Sequence, residues 1–228
     1  MAKQRRQKKT AKETARRGQG RPRISDGVAG ADQLLFAARR LLVSTHPDQM
    51  TQVMVAKEAG VDSRLVRYYF GSMDNLLFDL AKSLIKDIDA RMLAASNVEG
   101  TVFDKLKERI RVLLRFYIEF PMFWPLIMEY VYLSEEEEAT NLRRTYNKAS
   151  YIRLENILLK GVDEKLIRRE VDPRLLYLQL IGACEIFVTG KPISDILFSR
   201  YEQDDLEENY AHFLADIVVR GLRVTPTE

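Results

Sequence analysis

Within the six residues from Arg64 to Tyr69 stand two arginines and two tyrosines, Arg64, Arg67, Tyr68 and Tyr69, with Ser63 and Leu65 beside them and Thr51 and Gln52 shortly before. Guanidinium groups bind phosphates and, through paired N–H donors, the O6 and N7 atoms of guanine; phenol, hydroxyl and amide groups bond phosphate oxygens. This is the chemistry of reversible nucleic-acid recognition. The groups needed to make or break bonds are thin by comparison. His46 and His212 are the only histidines, one beside Pro47 and one in an amphipathic stretch, and neither sits in a Ser or Cys pattern suggestive of a triad. Glu108, Glu119, Glu129 and Glu185 can be paired on paper as acid and base, but helices of this composition carry such acids on solvated faces. Cys184 stands alone, which leaves no intramolecular disulfide and no Cys cluster for a metal. With no Gly-rich phosphate loop or metal-ligand spacing either, the chain is expected to be no enzyme and to need no cofactor.

The residues around the Arg and Tyr cluster must hold it on a helix. Thr51 is a hydroxyl N-cap before Gln52 to Ala59, where Val55, Ala56 and Ala59 fall at helical spacing. Gly60 stops that helix, Val61 plugs the core, and Asp62 or Ser63 caps a second one running without a breaker to Phe70. On it Val66 and Phe70, four apart, face the core, so Arg64, Arg67 and Tyr68 point elsewhere. A helix, a tight glycine turn and a second short helix make a helix-turn-helix, which lays its second helix in the DNA major groove. An ordinary helical hairpin with solvated arginines fits the same local pattern, so the order of the whole stretch matters.

That order resembles the DNA-binding domain of the tetracycline-repressor (TetR) family. The resemblance is carried by Thr51, Ala56, Ala59-Gly60-Val61-Asp62, Tyr68-Tyr69-Phe70, Gly71-Ser72-Met73 and Leu76, about an eighth of the chain. Three positions depart from the family pattern: Asp62 stands for the usual Ser, Tyr69 for His and Met73 for Lys. Asp62 still caps and Tyr69 still donates to phosphate, but Met73 cannot, which removes one phosphate anchor. The resemblance implies an all-α fold, with a three-helix DNA-binding domain over residues 28–73 joined by a long helix to a helical ligand-binding and dimerisation domain over 74–228. It also implies a dimer formed by the last two helices, and a repressor released from double-stranded operator DNA when a small molecule shifts the connector.

The whole composition agrees with such a partner. The net charge of +3 over 228 residues hides ten Lys or Arg against one acid in residues 1–23, a local +9 that leaves −6 for the rest. A basic arm on an acidic body points to nucleic acid. Residues 1–27 lack hydrophobic periodicity and are expected to be a disordered arm. Within it Gly20-Arg21-Pro22-Arg23 resembles the core of an AT-hook, so Arg21 and Arg23 either enter a narrow minor groove or, as part of a generic basic tail, visit phosphates. No secretory signal and no run of about twenty apolar residues occurs, so a cytoplasmic protein is expected.

The remaining stretches read as helices. Leu34, Leu35, Ala38, Leu41 and Leu42 form an apolar stripe in a first helix over about 28–44; Leu77, Leu80, Ala81, Leu84, Ile88 and Met92 mark an unbroken connector over about 74–95. A further helix ends at Phe120-Pro121, and a dense aromatic stretch succeeds it. There Phe120, Phe123, Trp124 and Met128 are the expected walls of a site for a mainly apolar effector, although such residues also fill ordinary cores. Ser134 to Glu137 reads as a capping box for a helix to about Lys160. Gly190 to Tyr201 is expected to be a loop, and Gly221 to stop the last helix. Leu178, Gly182, Ile186, Phe213, Leu214 and Ile217 would leave a large apolar surface in water unless a second copy covers it, which predicts a homodimer. The competing readings are a constitutive or architectural DNA-binding protein of the same fold with no effector, and a helical enzyme.

Overall fold

The computed structural model describes residues 24–200 and 203–224, and every regular element among them is helical. Both arginines expected to act from the basic arm, Arg21 and Arg23, lie outside these residues. Helix α1 (Ile24–Leu41) buries Leu34, Ala37 and Ala38 across α2 (Gln52–Ala59) and α3 (Arg64–Phe70). Helix α4 (Met73–Ser96) comes at once after them, capped by the Ser72 hydroxyl, which accepts from Asn75 N at 3.1 Å. All nine buried side chains of α4 are Leu, Ile, Ala or Met, and eight of them, from Leu76 to Met92, join both halves of the molecule in one continuous core. The connector is thus a shared spine and not a free strut.

Helix α5 (Val102–Glu119) begins with a reciprocal box in which Asp104 N donates to Thr101 Oγ1 and Thr101 N donates to the Asp104 carboxylate. It ends, as the sequence predicts, at Phe120-Pro121. A short α6 (Phe123–Ile127) and a wide π turn (Met128–Tyr132) lead to α7 (Glu137–Asp163), α8 (Pro173–Thr189), α9 (Lys191–Leu197) and α10 (Gln203–Leu222). Asp172 caps α8 by accepting from Arg174 N at 2.9 Å, with Pro173 in the first turn, where its missing N–H costs nothing. Helix α10 lies along α5, and the tail closes with a single antiparallel bridge between Ile167 and Arg223.

Several boundaries differ from the sequence reading, each for a local reason. Helix α1 ends at Leu41 and not Ser44, because Leu42 to Thr45 tighten into turns ahead of Pro47. The expected capping box at Ser134 does not form. Arg143 Nη1 gathers the carbonyls of Val131, Tyr132 and Ser134 at 2.8–3.0 Å, and α7 starts two residues later, with Ser134 Oγ accepting only from Glu136 N. Helix α7 runs through Gly161 to Asp163, and a Cβ at Gly161 would meet Ile167 Cδ1 at 2.5 Å, so the close packing there leaves room only for glycine. The expected loop after Gly190 contains α9, seven residues with none buried. Gly221 does not stop α10, which runs one residue further to Leu222.

Candidate nucleic-acid interface and the cavity behind it

Helix α2 is capped as read from the sequence, with Thr51 Oγ1 accepting from Met54 N at 3.3 Å. Gly60 at φ 70° adopts the left-handed conformation that an L side chain resists, and Val61 N reaches back to Ala56 O at 2.9 Å. These bonds end α2 and turn the chain into α3, where Val66 is fully buried. Gln52, Ser63, Arg64, Arg67 and Tyr68 then line one open concavity on the surface, so five residues expected to contact DNA share a face. Tyr68 is 61% exposed.

Two of the expected contacts sit differently. Leu65 and Tyr69 pack partly against the core, and the Tyr69 ring leans on Gly30 of α1, leaving no room there for a Cβ. Tyr69 is held edge-on to Tyr68 with ring centroids 4.9 Å apart. Its first structural role is to brace α3 on α1. Arg64 is engaged as well: its Nε and Nη2 bind the Asp62 carboxylate, which also accepts from Arg64 N at 2.9 Å. Asp62 is therefore the cap, Ser63 makes no side-chain cap bond, and the Arg64 hydrogen bonds hold the Asp62 carboxyl down at about 2. Arg67 carries no such carboxylate among the described residues.

Charged residues tie this face to the larger half. Arg39 of α1 binds Asp87 of α4 and stacks on the Phe120 ring at 4.5 Å. Arg91 of α4 binds Asp87 at 2.9 Å and Glu119 of α5 at 2.6 Å, with Phe116 beneath it at 5.3 Å. Against the cost of burial, the two guanidinium groups keep the Asp87 carboxyl below its ordinary range. Lys82 likewise links α4 to Glu138 of α7 at 2.8 Å. Of the charged residues in this network the sequence reading picks out Glu119 alone, as a candidate acid; it is instead an ion-pair partner of Arg91.

Behind the network lies a cavity of about 40 Å³ between α4, α5, α6, α7 and α8. Phe123 and Trp124 are on its wall, as expected for an effector site; Phe120 and Met128 are not. Phe120 is the C-cap of α5 and turns toward Arg39, while Met128 opens the π turn, whose extra residue per turn rotates the side chains beyond it. The wall is completed by residues the sequence reading did not select, among them Ile88, Met92, Arg109, Tyr146 and Tyr177. Arg109 carries a detectable signal: it falls on the stripe Leu106, Ile110, Leu113, Tyr117, where an arginine is out of place. A second concavity between α5 and α10, about 600 Å³, opens to solvent, and most of its cations are already engaged: Arg111 by Glu108, Arg220 by Asp216 and Arg223 by the Phe103 ring. Among the described residues no group of three His, Cys, Asp or Glu is placed to hold a metal.

Helices α8 and α10 present Leu178, Ile186, Phe213 and Ile217 as exposed apolar side chains, and a Cβ on Gly182 would meet nothing within 4 Å. Leu214, expected beside them, is buried in the core of its own chain. Glu185 Oε2 is buried without a hydrogen-bond partner among the described residues, and burial pushes the carboxyl up to about 7. No helix among the described residues is long and apolar enough to cross a membrane.

Residues 101–227 match the tetracyclin repressor-like C-terminal domain, more than half of the chain. No curated protein matches it. Among solved structures, the ketosteroid transcriptional regulator KstR2 of Mycobacterium tuberculosis aligns over 86% of this chain and 95% of its own, with a TM-score of 0.65 and 16% identity. The transcriptional regulator FadR from Bacillus subtilis, solved in complex with stearoyl-CoA, aligns over 81% of this chain and 97% of its own at a TM-score of 0.59 and 20% identity. AibR, solved in complex with isovaleryl coenzyme A and operator DNA, aligns over 82% of this chain and 97% of its own at a TM-score of 0.62 and 14% identity. At these identities the likeness is one of fold.

Proposed function

Because the chain belongs to the tetracycline-repressor family of transcriptional regulators, a membership that rests on the match over residues 101–227, we propose that it is a cytoplasmic homodimeric repressor. It holds operator DNA through α2 and α3 and releases it when a small molecule occupies the cavity. The observation that carries this reading is the double use of α4. It starts immediately after the recognition helix, and further along it supplies Ile88 and Met92 to the cavity wall. A ligand that widens the cavity must move the helix on which α3 is mounted, so the two sites influence one another reciprocally. Arg39 and Arg91 add a second route, from α1 to the end of α5. The exposed apolar faces of α8 and α10 support pairing of two copies through those helices.

The site takes a molecule whose body is mainly apolar, and the coenzyme A thioesters bound by FadR and AibR belong to that class in their acyl parts. No catalytic role is assigned. A decisive experiment isolates genomic fragments retained by the purified protein and then titrates candidate molecules against the retained complex. Release of operator DNA, with Trp124 fluorescence changing at the same concentrations, is the expected result. Arg39→Ala should leave both binding events intact and weaken their mutual influence by about 0.5–2 kcal/mol. A second reading, a constitutive DNA-binding protein, is favoured by the small cavity, since 40 Å³ holds only two or three waters. It predicts retained fragments that no small molecule displaces.

A further inference from the structure

The cavity wall carries a charge with no counter-charge. Arg109 is 5% exposed and makes no ion pair among the described residues. Its hydrogen bonds come from one nitrogen: Nη1 donates to Ser96 Oγ at 2.9 Å and to Met92 O at 3.4 Å, in the last turn of α4. Nε and Nη2, which form the opposite edge of the guanidinium plane, have no protein acceptor among the described residues. Asp89, the carboxylate whose field reaches Arg109, is held by both terminal nitrogens of Arg153 at 2.6–2.7 Å.

The surrounding polar groups repeat the imbalance. Tyr132 spends its hydroxyl on Asn147 at 2.6 Å, and at Tyr177 the neighbouring Ser150 offsets part of the upward push of burial on the phenol. Tyr117 and Tyr146 have no hydrogen-bond partner among the described residues, and burial holds both phenols above their ordinary range, which keeps them O–H donors. Among the described residues no Asp or Glu lines the cavity. Burial brings Arg109 down only to about 10, so it is still a cation at neutral pH. Converging donors, one full positive charge and no acceptor of opposite charge define what is missing. A buried cation is costly unless an anion compensates it.

We propose that Arg109, with Tyr117 and Tyr146, seats the carboxylate of an amphipathic organic acid whose hydrocarbon part lies among Phe123, Trp124 and Leu154. This rests on the cavity being the effector site and names the effector's chemical class. The free Nε–Nη2 edge matches the two oxygens of a planar carboxylate. The neutral carbonyl of a thioester would leave the charge uncompensated, and a phosphate dianion would bring one negative charge too many into an enclosed apolar site. A coenzyme A ester is therefore the poorer ligand here.

The test uses the full-length protein and hexanoate, decanoate, benzoate and 4-isopropylbenzoate, each beside its primary amide and its coenzyme A thioester, read by Trp124 fluorescence and thermal shift. At least one acid should bind about tenfold more tightly than its amide, the scale of one charge-assisted hydrogen bond. Arg109→Met should bring that ratio near one while the amide still binds, and Arg109→Lys, which keeps the charge but loses the planar fork, should fall between. Tyr146→Phe removes a donor without disturbing the Ser96 and Met92 bonds, and should lower the acid preference severalfold even if Arg109→Met fails to fold. The proposal is overturned if no acid is preferred to its amide, if Arg109→Met or Tyr146→Phe leaves the preference intact, or if the thioesters bind better than the acids. An acid that binds through Arg109 yet leaves DNA in place would confirm the anion seat and defeat the effector reading. A compound that releases DNA irrespective of Arg109 would do the reverse.

Discussion

Arg64 and Arg109 are the same side chain in opposite circumstances. The Arg64 side chain is 89% exposed, free to be hydrated, and nevertheless has a carboxylate of its own two residues away. Arg109 is enclosed and has none. At the proposed DNA face the local charge is muted by Asp62, so on that reading affinity comes from Arg67, Tyr68 and the start of α2. In the cavity the charge is left bare in a low-dielectric site, where an ion is worth far more. The two regions also differ in how they are built: the DNA face comes from one contiguous stretch held by bonds over two to five residues, whereas the cavity draws on five helices far apart in the chain.

The sharpest way to separate the regions is to remove packing from one of them. Phe116 is fully buried, touches Phe120 and Phe123 with centroids 5.2 and 4.9 Å away, and lies under Arg91. Phe116→Ala should cost about 3–5 kcal/mol of stability, measured by urea unfolding. If the loss were under about 1 kcal/mol, the aromatic cluster would not be the structural centre of the larger half. Arg67→Ala should have the complementary profile. Operator binding should weaken by about 1–3 kcal/mol while the unfolding midpoint stays put, because Arg67 is exposed and supports nothing. A base-reading role would appear as relaxed preference at one operator position, and a phosphate role as a uniform loss with a shallower salt slope.

The same contrast explains what could be read from the sequence. Caps and glycine turns act over a few residues, so Thr51, Gly60, Asp62 and Ser72 announce the helix-turn-helix directly, and Val66 is visible as its buried face. What local pattern cannot show is which side chains lean on a distant helix. Tyr69 looks equivalent to Tyr68 until Gly30 of α1 is brought under it. In the larger half, aromatic density led to Phe123 and Trp124, but helical periodicity does not say which helices meet. Tyr146 on α7 and Tyr177 on α8 therefore stayed hidden, and the π turn at Met128 breaks the register on which any extrapolation from Trp124 depends. Arg109 alone was open to detection, as a charge on an apolar stripe.

Removing the carboxylate that mutes Arg64 tests the DNA half of the comparison. Asp62→Asn keeps an oxygen to accept from Arg64 N, so the start of α3 should survive, but it frees the guanidinium and deletes a negative charge on the proposed DNA face. Affinity at low salt should rise severalfold, and the slope of log affinity against log salt should steepen by about one, as expected for one added phosphate contact. An unchanged slope in filter-binding titrations would mean that Arg64 does not reach the backbone even when released.

The smallest effect concerns the two carboxyls that mirror the two arginines. Asp62, in solvent beside Arg64, is lowered to about 2, so its contribution is intact above the ordinary carboxylate range and fades only as pH falls through about 2. Glu185, with Oε2 buried and unpaired on α8, is raised to about 7 by burial, which reverses the sign. Between the ordinary glutamate value near 4.5 and about 7 the folded state keeps a proton that the unfolded state has lost. Stability attributable to Glu185 therefore falls as pH rises across that window and is flat above it. Partial exposure and solvent screening limit the term to about 1 kcal/mol or less. Glu185→Gln should flatten this part of the pH profile and raise the unfolding temperature at pH 8 by about 2–4 °C, with no gain at pH 4. A gain of equal size at both pH values would trace the improvement to packing instead of charge, and would break the parallel between the buried acid and the buried base.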